Sequence, residues 1–372
     1  MLSDMRAIYL YSFFAVAVCI VANLHIAQAQ NSTTFYTAKV IQIRATPDSE
    51  KKGLPPQTNT VQITSGDKKG EKVDILNGGI FAAGGIQPIG EGDTIVISKD
   101  ASAGVADYYI EGPYRLVSMM MLFLIFLGLV CVLCGMRGLS AVLGLVFSIF
   151  VLAAYVVPQI LAGSDPFLVS ISAAFVIAII SLYCAHGLNK RTTVALGGTM
   201  ASLCLAAVLS SISVYFTRLS GMGTEESFFL QMGGLDAINL KGLLLGGIII
   251  GVLGILDDAT TGQAAAVDEI AKANPSLSRT ELFRRGLSVG REHITSLVNT
   301  LALAYAGVSL PLFLLFTVNA DQPLWAIVNS EFISEEIVRA LVGSISLVLA
   351  VPLTTALAAY FLKIKDGGRY GA

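Results

Sequence analysis

The chain has 372 residues, of which 54% are hydrophobic and only 13% are charged, and its formal net charge is −2. This composition excludes an ordinary soluble globular protein, and the near-neutral charge gives no reason to expect nucleic acid as a partner. The cysteines all lie in apolar segments, at Cys19, Cys131, Cys134, Cys184 and Cys204. We therefore expect neither a disulfide framework nor a thiolate metal site.

The first 29 residues resemble an export signal. An apolar run covers residues 7–22, Arg6 precedes it, and Ala27, Gln28 and Ala29 resemble a signal-peptidase site. The run is long for a cleaved signal, so residues 1–29 are predicted to be either a membrane anchor or a signal peptide. Both alternatives export the segment that follows.

Residues 30–115 are polar and predict a separate all-β domain. Residues 38–44, 60–64 and 94–98 alternate apolar and polar side chains, as short strands do. Glycine and proline pairs lie between them, which is typical of turns. We expect an OB-like fold or another small barrel outside the membrane. The aromatic residues of this domain are scattered, which argues against a stacking surface for nucleic acid.

Residues 116–372 predict a bundle of seven membrane-spanning helices. Each apolar segment is long enough to cross about 30 Å of hydrocarbon. The segments are residues 116–134, 139–162, 167–186, 192–215, 240–256, 295–318 and 337–362. The predicted fold class is therefore an α-helical polytopic membrane protein with a small exported all-β domain.

The connections between these segments alternate in charge. Basic residues occur at 137, 190–191, 272–291 and 363–369, whereas acidic residues predominate at 165, 225–236 and 321–336. Because basic connections stay in the cytoplasm, this pattern places residues 30–115 outside and the C-terminus inside. The export signal independently predicts the same orientation.

Residues 257–294 are predicted to include an amphipathic cytoplasmic segment. Asn274 and Pro275 interrupt it, and Ser278 and Glu281 have the spacing of a capping box, in which each side chain accepts the other residue's backbone N–H. Apolar residues then recur at helical spacing opposite several arginines. We expect a helix in the membrane interface that serves as a structural collar or as a lipid sensor.

Asp257 and Asp258 lie where the glycine-rich predicted span ends. A carboxylate near lipid is costly, so it is usually paired, neutralised or part of a polar pathway. If the helix continues, Asp257 and Thr261 share one face. Carboxylates beside a bent helix form ion sites in many transporters. The alternative is an interfacial helix end whose acids bind Arg291 or Lys272.

Glycine spacing adds two expectations for the same helix. Residues 240–272 as one helix would measure about 50 Å, so the helix must project into the cytoplasm or bend, with Gly262 the expected place of a bend. Pairs of small residues four apart let helix backbones approach closely. The pairs are Gly242 with Gly246, Gly247 with Gly251, and Gly198 with Ser202.

A polar stripe follows in the next predicted span. It consists of Glu292, Ser296, Asn299, Leu303 and Gly307. An unpaired amide is unfavourable in hydrocarbon, so Asn299 should have a partner on a neighbouring helix, with Asp257 or Thr261 the natural candidate. A hydrogen bond that serves packing alone is the alternative. Neighbouring His293 either titrates near neutral pH or forms a surface ion pair.

The candidate residues for a substrate or ion pathway follow from these patterns. They are Asp257, Asp258, Thr261, Asn299, Glu292 and His293. No metal site and no bound cofactor are expected, because dense spacing of histidine and acidic residues is lacking. The sequence contains no P-loop, Rossmann fingerprint or serine nucleophile motif, so we expect no enzymatic activity.

Residues 254–316 resemble the YibE/F-like family of bacterial multi-pass membrane proteins. The resemblance covers about the whole chain, including the exported β domain, and is specific in the last third. The marks of the resemblance are the acidic pair Asp257–Asp258, Asn274–Pro275, Gly290–Arg291–Glu292–His293, Asn299–Thr300–Leu301 and Ser309–Leu310–Pro311. Glu292 departs from the aspartate expected before the histidine. The resemblance implies the membrane architecture and a bacterial cytoplasmic-membrane location, but it supplies no reaction.

The leading functional hypothesis is a transporter or permease-like protein that contacts the lipid bilayer and a small solute or ion. The alternative is a non-catalytic membrane module whose exported β domain binds an envelope protein. An intramembrane aspartyl protease is a third reading, but it requires two aspartates on facing helices, and Asp257 and Asp258 lie on one helix.

Overall fold

The computed structural model describes residues 33–45, 57–77, 89–100, 107–234, 237–311, 314 and 323–363. The described residues divide into two compact units, one that ends at Leu129 and one that begins at Val130. The predicted signal or anchor, residues 1–29, lies outside the described residues. Most of the described residues are helical, as the composition predicts.

A five-stranded antiparallel sheet forms from the described residues of the first unit. Its strands are β1 (Thr33–Ala45), β2 (Gln57–Ile63), β3 (Lys72–Asn77), β4 (Thr94–Asp100) and β5 (Asp107–Pro113), in the order β3-β2-β1-β4-β5. Alternate apolar residues, such as Val61 and Ile63 on β2 and Ile95 and Ile97 on β4, are buried in one core. The edge strands β3 and β5 contact each other, which curls the sheet. The predicted small all-β region is thus confirmed as an antiparallel sheet.

Two helices follow the sheet and are separated by a glycine kink. They are α1 (Leu116–Met136) and α2 (Gly138–Leu161). Gly135 has a φ of +58°, a left-handed conformation that glycine adopts at little cost, and it interrupts the helical path there. No described residue of α1 is buried, as expected for a helix whose apolar side chains face lipid.

The remaining helices complete the second unit. They are α3 (Pro166–His186), α4 (Lys190–Thr217), α5 (Glu225–Met232), α6 (Leu240–Ala273), α7 (Arg279–Val308), α8 (Leu324–Val328) and α9 (Glu331–Phe361). Among the described residues, six helices are long and apolar enough to cross a membrane: α1, α2, α3, α4, α6 and α9.

The seven predicted spans are therefore confirmed for six helices only. The predicted span 295–318 corresponds to the second half of α7, which begins at Arg279 and ends at Val308. This helix carries too many polar side chains to qualify by composition among the described helices. Residues 312–313 and 315–322 of the predicted span and its connection lie outside the described residues.

Helix α6 lies at the centre of the bundle. Its residues Ile248, Ile249, Val252 and Leu256 are almost completely buried, and they belong to a core shared with α3, α4 and α9. Helices α4 and α9 also pack closely on each other. Glycine spacing together with the polar stripes predicts that this segment and residues 295–318 form the centre of the bundle. The packing confirms this for α6, whereas most of the described residues of the second segment are exposed.

Some of the glycine pairs let helices approach closely, as predicted. Gly242 and Gly246 are buried, and a Cβ atom on Gly246 would collide with Ser170 of α3. Gly198 of α4 lies equally close to Thr354 of α9. In contrast, Gly247 and Gly251 are exposed, and a Cβ atom on either would make only ordinary contacts with the described residues, so this pair does not mediate a comparably close approach.

Helix α6 continues without interruption past the acidic pair. It runs helically through Gly262 to Ala273, where Asn274 ends it, so the alternative of a bend at Gly262 is not observed. The predicted capping box starts α7: the Glu281 backbone N–H donates to Ser278 Oγ at 3.2 Å, and the Ser278 N–H donates to Glu281 Oε2 at 3.0 Å. Leu282 and Gly286 then pack against α6 and α9. The first turns of α7 are thereby attached to the bundle.

Two neighbouring glycines of α4 provide a test of the α4–α9 contact. We predict that Gly198→Ala lowers stability by about 1–3 kcal/mol, because the new methyl group overpacks against Thr354. Gly197→Ala is the matched control, since its Cβ atom would lie 3.7 Å from Leu357, an ordinary contact. Thermal unfolding of the detergent-solubilised variants measures the difference, and equal unfolding midpoints would contradict the close approach of the two helices.

The capping box predicts a local dependence on pH. The Ser278 backbone N–H donates to the Glu281 carboxylate and holds the pKa of that group below its ordinary value. Because folding depresses the pKa of Glu281, its carboxylate stabilises the folded helix above the unfolded-state pKa of this group. That stabilisation is lost as the pH falls through the folded-state pKa. We expect acid to loosen the first turn of α7, which can be followed by hydrogen exchange corrected for intrinsic rates. Glu281→Gln keeps the acceptor and should remove this dependence; a pH response retained by that variant would exclude the carboxylate as its origin.

Candidate functional site

Polar side chains are concentrated on α6 between Asp257 and Gln263. Successive helical residues point about 100° apart, so these side chains face different neighbours. Asp257 and Thr261 are partly buried, Asp258 is exposed, and Thr260 and Gln263 are fully buried. The polar side chains of this one segment therefore lie in three environments: exposed, partly buried and fully buried.

Asp257 points toward α3. The Ser181 hydroxyl of α3 lies within reach of its carboxyl group, and Ser181 lies close to Gly144 of α2. Asp257 Oδ1 is nonetheless buried without a hydrogen-bond partner among the described residues. No ion pair joins this carboxylate to a basic side chain in the described part of the chain. It is a carboxylate inside a spanning helix with one weak polar neighbour.

The alternative in which Lys272 neutralises the acidic pair is not observed. Lys272 Nζ lies 2.7 Å from Asp268 Oδ2 and 3.0 Å from Glu269 Oε1, one turn or less along the same helix. The described residues show no ion pair between Arg291 and either Asp257 or Asp258. Among the described residues, the basic side chains near the C-terminal end of α6 therefore leave the pair without a counter-charge.

Thr261 lies beside Asp257 but faces its own helix. The Thr261 hydroxyl donates to the Asp257 carbonyl oxygen at 2.5 Å and to the Asp258 carbonyl oxygen at 3.2 Å. This arrangement is usual for threonine within a membrane helix. Thr261 thus belongs to the same polar region, although the hydroxyl proton is engaged with the backbone.

The predicted contact between Asn299 and α6 is not formed. The stripe of Glu292, Ser296, Asn299, Leu303 and Gly307 does lie on one face of α7, but all five residues are exposed. The buried face of α7 consists instead of Leu282, Gly286, Gly290 and Leu301. The polar stripe was correctly recognised, but the prediction of the helix face that packs was wrong.

His293 lies next to α6, at Gly262. A Cβ atom on Gly262 would be 3.9 Å from His293 Nε2, and the ring is exposed. No ion pair between His293 and Glu292 occurs among the described residues, because neighbouring residues on a helix point in different directions. His293 and Asp258 are thus brought to the same exposed side of α6, whereas Glu292 is directed away from it.

A buried polar network lies one turn beyond the acidic pair. The Thr260 and Thr199 hydroxyl groups are 2.7 Å apart, linking α6 to α4. Gln263 Nε2 donates to the Gly286 carbonyl oxygen of α7 at 2.8 Å and to Thr355 Oγ1 of α9 at 2.7 Å. These bonds join four helices where water is excluded. These hydrogen bonds were not predicted from the sequence, because lone threonines and a glutamine do not reveal which helices they face.

Acidic side chains attach α9 to the connection that follows α4. Glu331 accepts hydrogen bonds from the Ser220 and Gly221 backbone N–H groups at 2.6 and 3.1 Å. Glu335, only 1% exposed, accepts from the Gly223 N–H at 2.9 Å. From the sequence, these acids were assigned only to a charged connection. The glycines at 221 and 223 leave backbone N–H groups accessible, and they were the one sequence feature that could have indicated these hydrogen bonds.

No arrangement typical of a metal centre is found among the described residues, since no three histidine, cysteine or acidic side chains converge there.

A cavity of about 600 Å³ lies at the start of α4, lined by Asn189, Lys190 and Phe361 among others. A smaller cavity of about 220 Å³ is apolar and lies between α3, α4 and α6. Neither cavity is lined by Asp257, so the candidate site is a polar helix surface.

The helical part of the chain matches a known family model. Residues 122–364 match the model described as YibE/F-like protein. The chain belongs to the YibE/F-like family. The predicted resemblance is thus confirmed over the helices, whereas the sheet of this YibE/F-like protein lies outside the match. No curated protein and no solved structure matches the chain.

The buried network predicts a cost for removing Gln263. We expect Gln263→Ala to destabilise the YibE/F-like protein by about 1–3 kcal/mol, because the Gly286 carbonyl and the Thr355 hydroxyl lose their donor in a dry environment. Thr355→Ser, which keeps the hydroxyl group, is the control and should be milder. Unfolding midpoints in one detergent measure both. An unchanged midpoint for Gln263→Ala would show that the bridge does not stabilise the bundle.

Proposed function

We propose that this YibE/F-like protein is a membrane transporter or permease-like protein that moves a small solute or ion past Asp257. The observation that carries the proposal is the partly buried Asp257 carboxylate, which lacks a basic partner among the described residues inside the central helix. A charge held at that depth without function would be strongly disfavoured. A cation or proton that binds there transiently would compensate it.

The position of the acidic pair supports coupling to a cation or a proton. Asp257 is partly buried beside Ser181 of α3, whereas the neighbouring residue Asp258 is exposed. A cation can therefore be attracted at Asp258 and desolvated at Asp257. Proton binding and metal-cation binding both neutralise a carboxylate, so either ion would compensate the buried charge of Asp257.

The proposal includes a location and an orientation. We place the protein in the bacterial cytoplasmic membrane, with residues 30–115 outside and the C-terminus inside, and α7 as part of a seventh span. The alternating charge of the connections and the family membership support this arrangement. The lipid bilayer is the main partner, and the transport reaction requires no bound cofactor and no chemical catalysis by the protein.

Flux measurements test the role of Asp257. We expect Asp257→Asn to reduce coupled flux in proteoliposomes by about ten-fold or more, because the amide cannot compensate a cation. Asp268→Asn is the matched control on the same helix, since Asp268 is paired with Lys272 and Glu269 still remains for that lysine. The panel should include protons, monovalent cations and small metabolites. Unchanged flux in a correctly inserted Asp257→Asn protein would remove this residue from the mechanism.

A second candidate function rests on the sheet. The sheet belongs to a compact unit of its own, lies outside the family match and exposes the aromatic ring of Phe35, which is 65% exposed. These features support an exported domain that binds an envelope protein while the helices serve as an anchor. Deletion of residues 30–112 discriminates between the two proposals: the anchor function requires the sheet for all activity, whereas a pathway through the helices retains flux.

A further inference from the structure

Helix α6 has a second polar surface, directed away from the bundle core. It consists of Gly247, Gly251, Gly254, Asp258 and Gly262, whose spacings of four, three, four and four residues place them on one face. All five are exposed. The opposite face of α6 carries the buried core residues. We call these five positions the glycine face.

Charged and polar side chains of α9 and α7 border one end of the glycine face. A Cβ atom on Gly247 would lie 3.4 Å from Nη1 of Arg339, and one on Gly251 would lie 3.6 Å from the Tyr305 hydroxyl. Arg339 Nε is 3.4 Å from Glu336 Oε1, and the Arg339 side chain is 23% exposed. Arg339 is a basic residue within a spanning helix, so its position calls for a functional explanation.

The other end of the glycine face is bordered by His293. Its Nε2 atom would be 3.9 Å from a Cβ atom on Gly262. Between the two ends, no atom of the described residues lies within 4 Å of a Cβ position on Gly254, and Asp258 is exposed. From Gly247 to Gly262 the face extends about 22 Å along the helix, most of the thickness of a hydrocarbon core.

These side chains restrict what can cover the glycine face. Hydrocarbon chains or an apolar helix would leave the Asp258 carboxylate without solvation and without a partner among the described residues, which is costly. Water satisfies Asp258, the outer nitrogen of Arg339 and the Tyr305 hydroxyl together. The absence of side chains at four of the five positions leaves the room that water requires. The exposed polar stripe of α7 that contains Asn299 indicates that this bordering helix also meets a polar environment.

We propose that the glycine face is a water-filled groove through which a hydrated cation, the proton included, reaches Asp258 and then Asp257. The charge of Arg339 is balanced by that of Glu336, so Asp258 gives the groove a net negative charge. This charge favours cations over anions. Tyr305 and Arg339 line its outer half and His293 its inner end. The movement of the cation rests on the proposed transport function, whereas the presence of water does not.

Cysteine labelling tests the groove without measuring flux. In a background with the five native cysteines replaced by alanine, Gly254→Cys is the reporter, since the open space above Gly254 accommodates the side chain. Ile179→Cys of α3 is the control. Gly246 of α6 lies against Ser170 of the parallel helix α3. Gly254 is eight residues beyond Gly246, and Ile179 is nine residues beyond Ser170, so the two positions are at a similar depth. Ile179 is 44% exposed on the apolar surface.

Thiosulfonate reagents react with the thiolate, which forms only in water. We expect a membrane-impermeant reagent to label Gly254→Cys about ten times faster than Ile179→Cys in proteoliposomes. Equal, slow labelling of both would overturn the proposal in favour of lipid. Oxidant-induced cross-linking of Gly254→Cys between copies would overturn it in favour of a second copy covering the face. Gly251→Cys provides a second reporter if Gly254→Cys does not fold.

Reagents of opposite charge test the preference for cations. We expect a trimethylammonium reagent to outpace a sulfonate reagent at Gly254→Cys, after each rate is normalised to that of a small free thiol, and Asp258→Asn to reduce this ratio. A ratio unaffected by Asp258→Asn would overturn the cation assignment. Rapid labelling together with unchanged flux in Asp257→Asn would leave the groove in place and reject the transport role of Asp257.

Discussion

The rotation of α6 about its own axis is the constraint on which the rest of the structure depends. Gln263 fixes this rotation, because its side chain bridges α7 and α9 while Thr260 of the same helix bonds to α4. Helical side chains have fixed relative directions. Once Gln263 and Thr260 face inward, Asp257 must face α3, and Asp258 and the other residues of the glycine face must point away from the core.

This constraint separates two kinds of polar group. The side chains of Thr199, Thr260 and Gln263 form hydrogen bonds with neighbouring helices, and such bonds stabilise a bundle where no water competes. Asp257 and Asp258 receive no comparable partner from the described residues. The buried Asp257 Oδ1 atom, which has no hydrogen-bond partner among the described residues, is the group that the proposed binding of a mobile positive charge would compensate. The same helix thus supplies both the rigid support and the proposed binding surface.

Local patterns predicted much of this fold because their causes are local. Six of the seven apolar segments, the end of α6 at Asn274 and the capping box at Ser278 and Glu281 depend on nearby residues, and the structure confirms them. The partner of Asn299 could not be predicted in the same way. A polar stripe and a stripe of small residues both suggest a packing face, and α7 packs through Gly286 and Gly290. Arg339 was missed because one charge within an apolar segment does not reveal which helix it faces.

Difference infrared spectroscopy of the protein in lipid tests most directly whether Asp257 binds a mobile positive charge. The carboxyl bands would be recorded while the solution cation or the proton concentration is changed, and Asp257→Asn would assign the band. The account predicts a carboxyl band that responds to one of these ions and is absent from the variant. Carboxyl bands that are the same in both proteins and unaffected by any ion would contradict it.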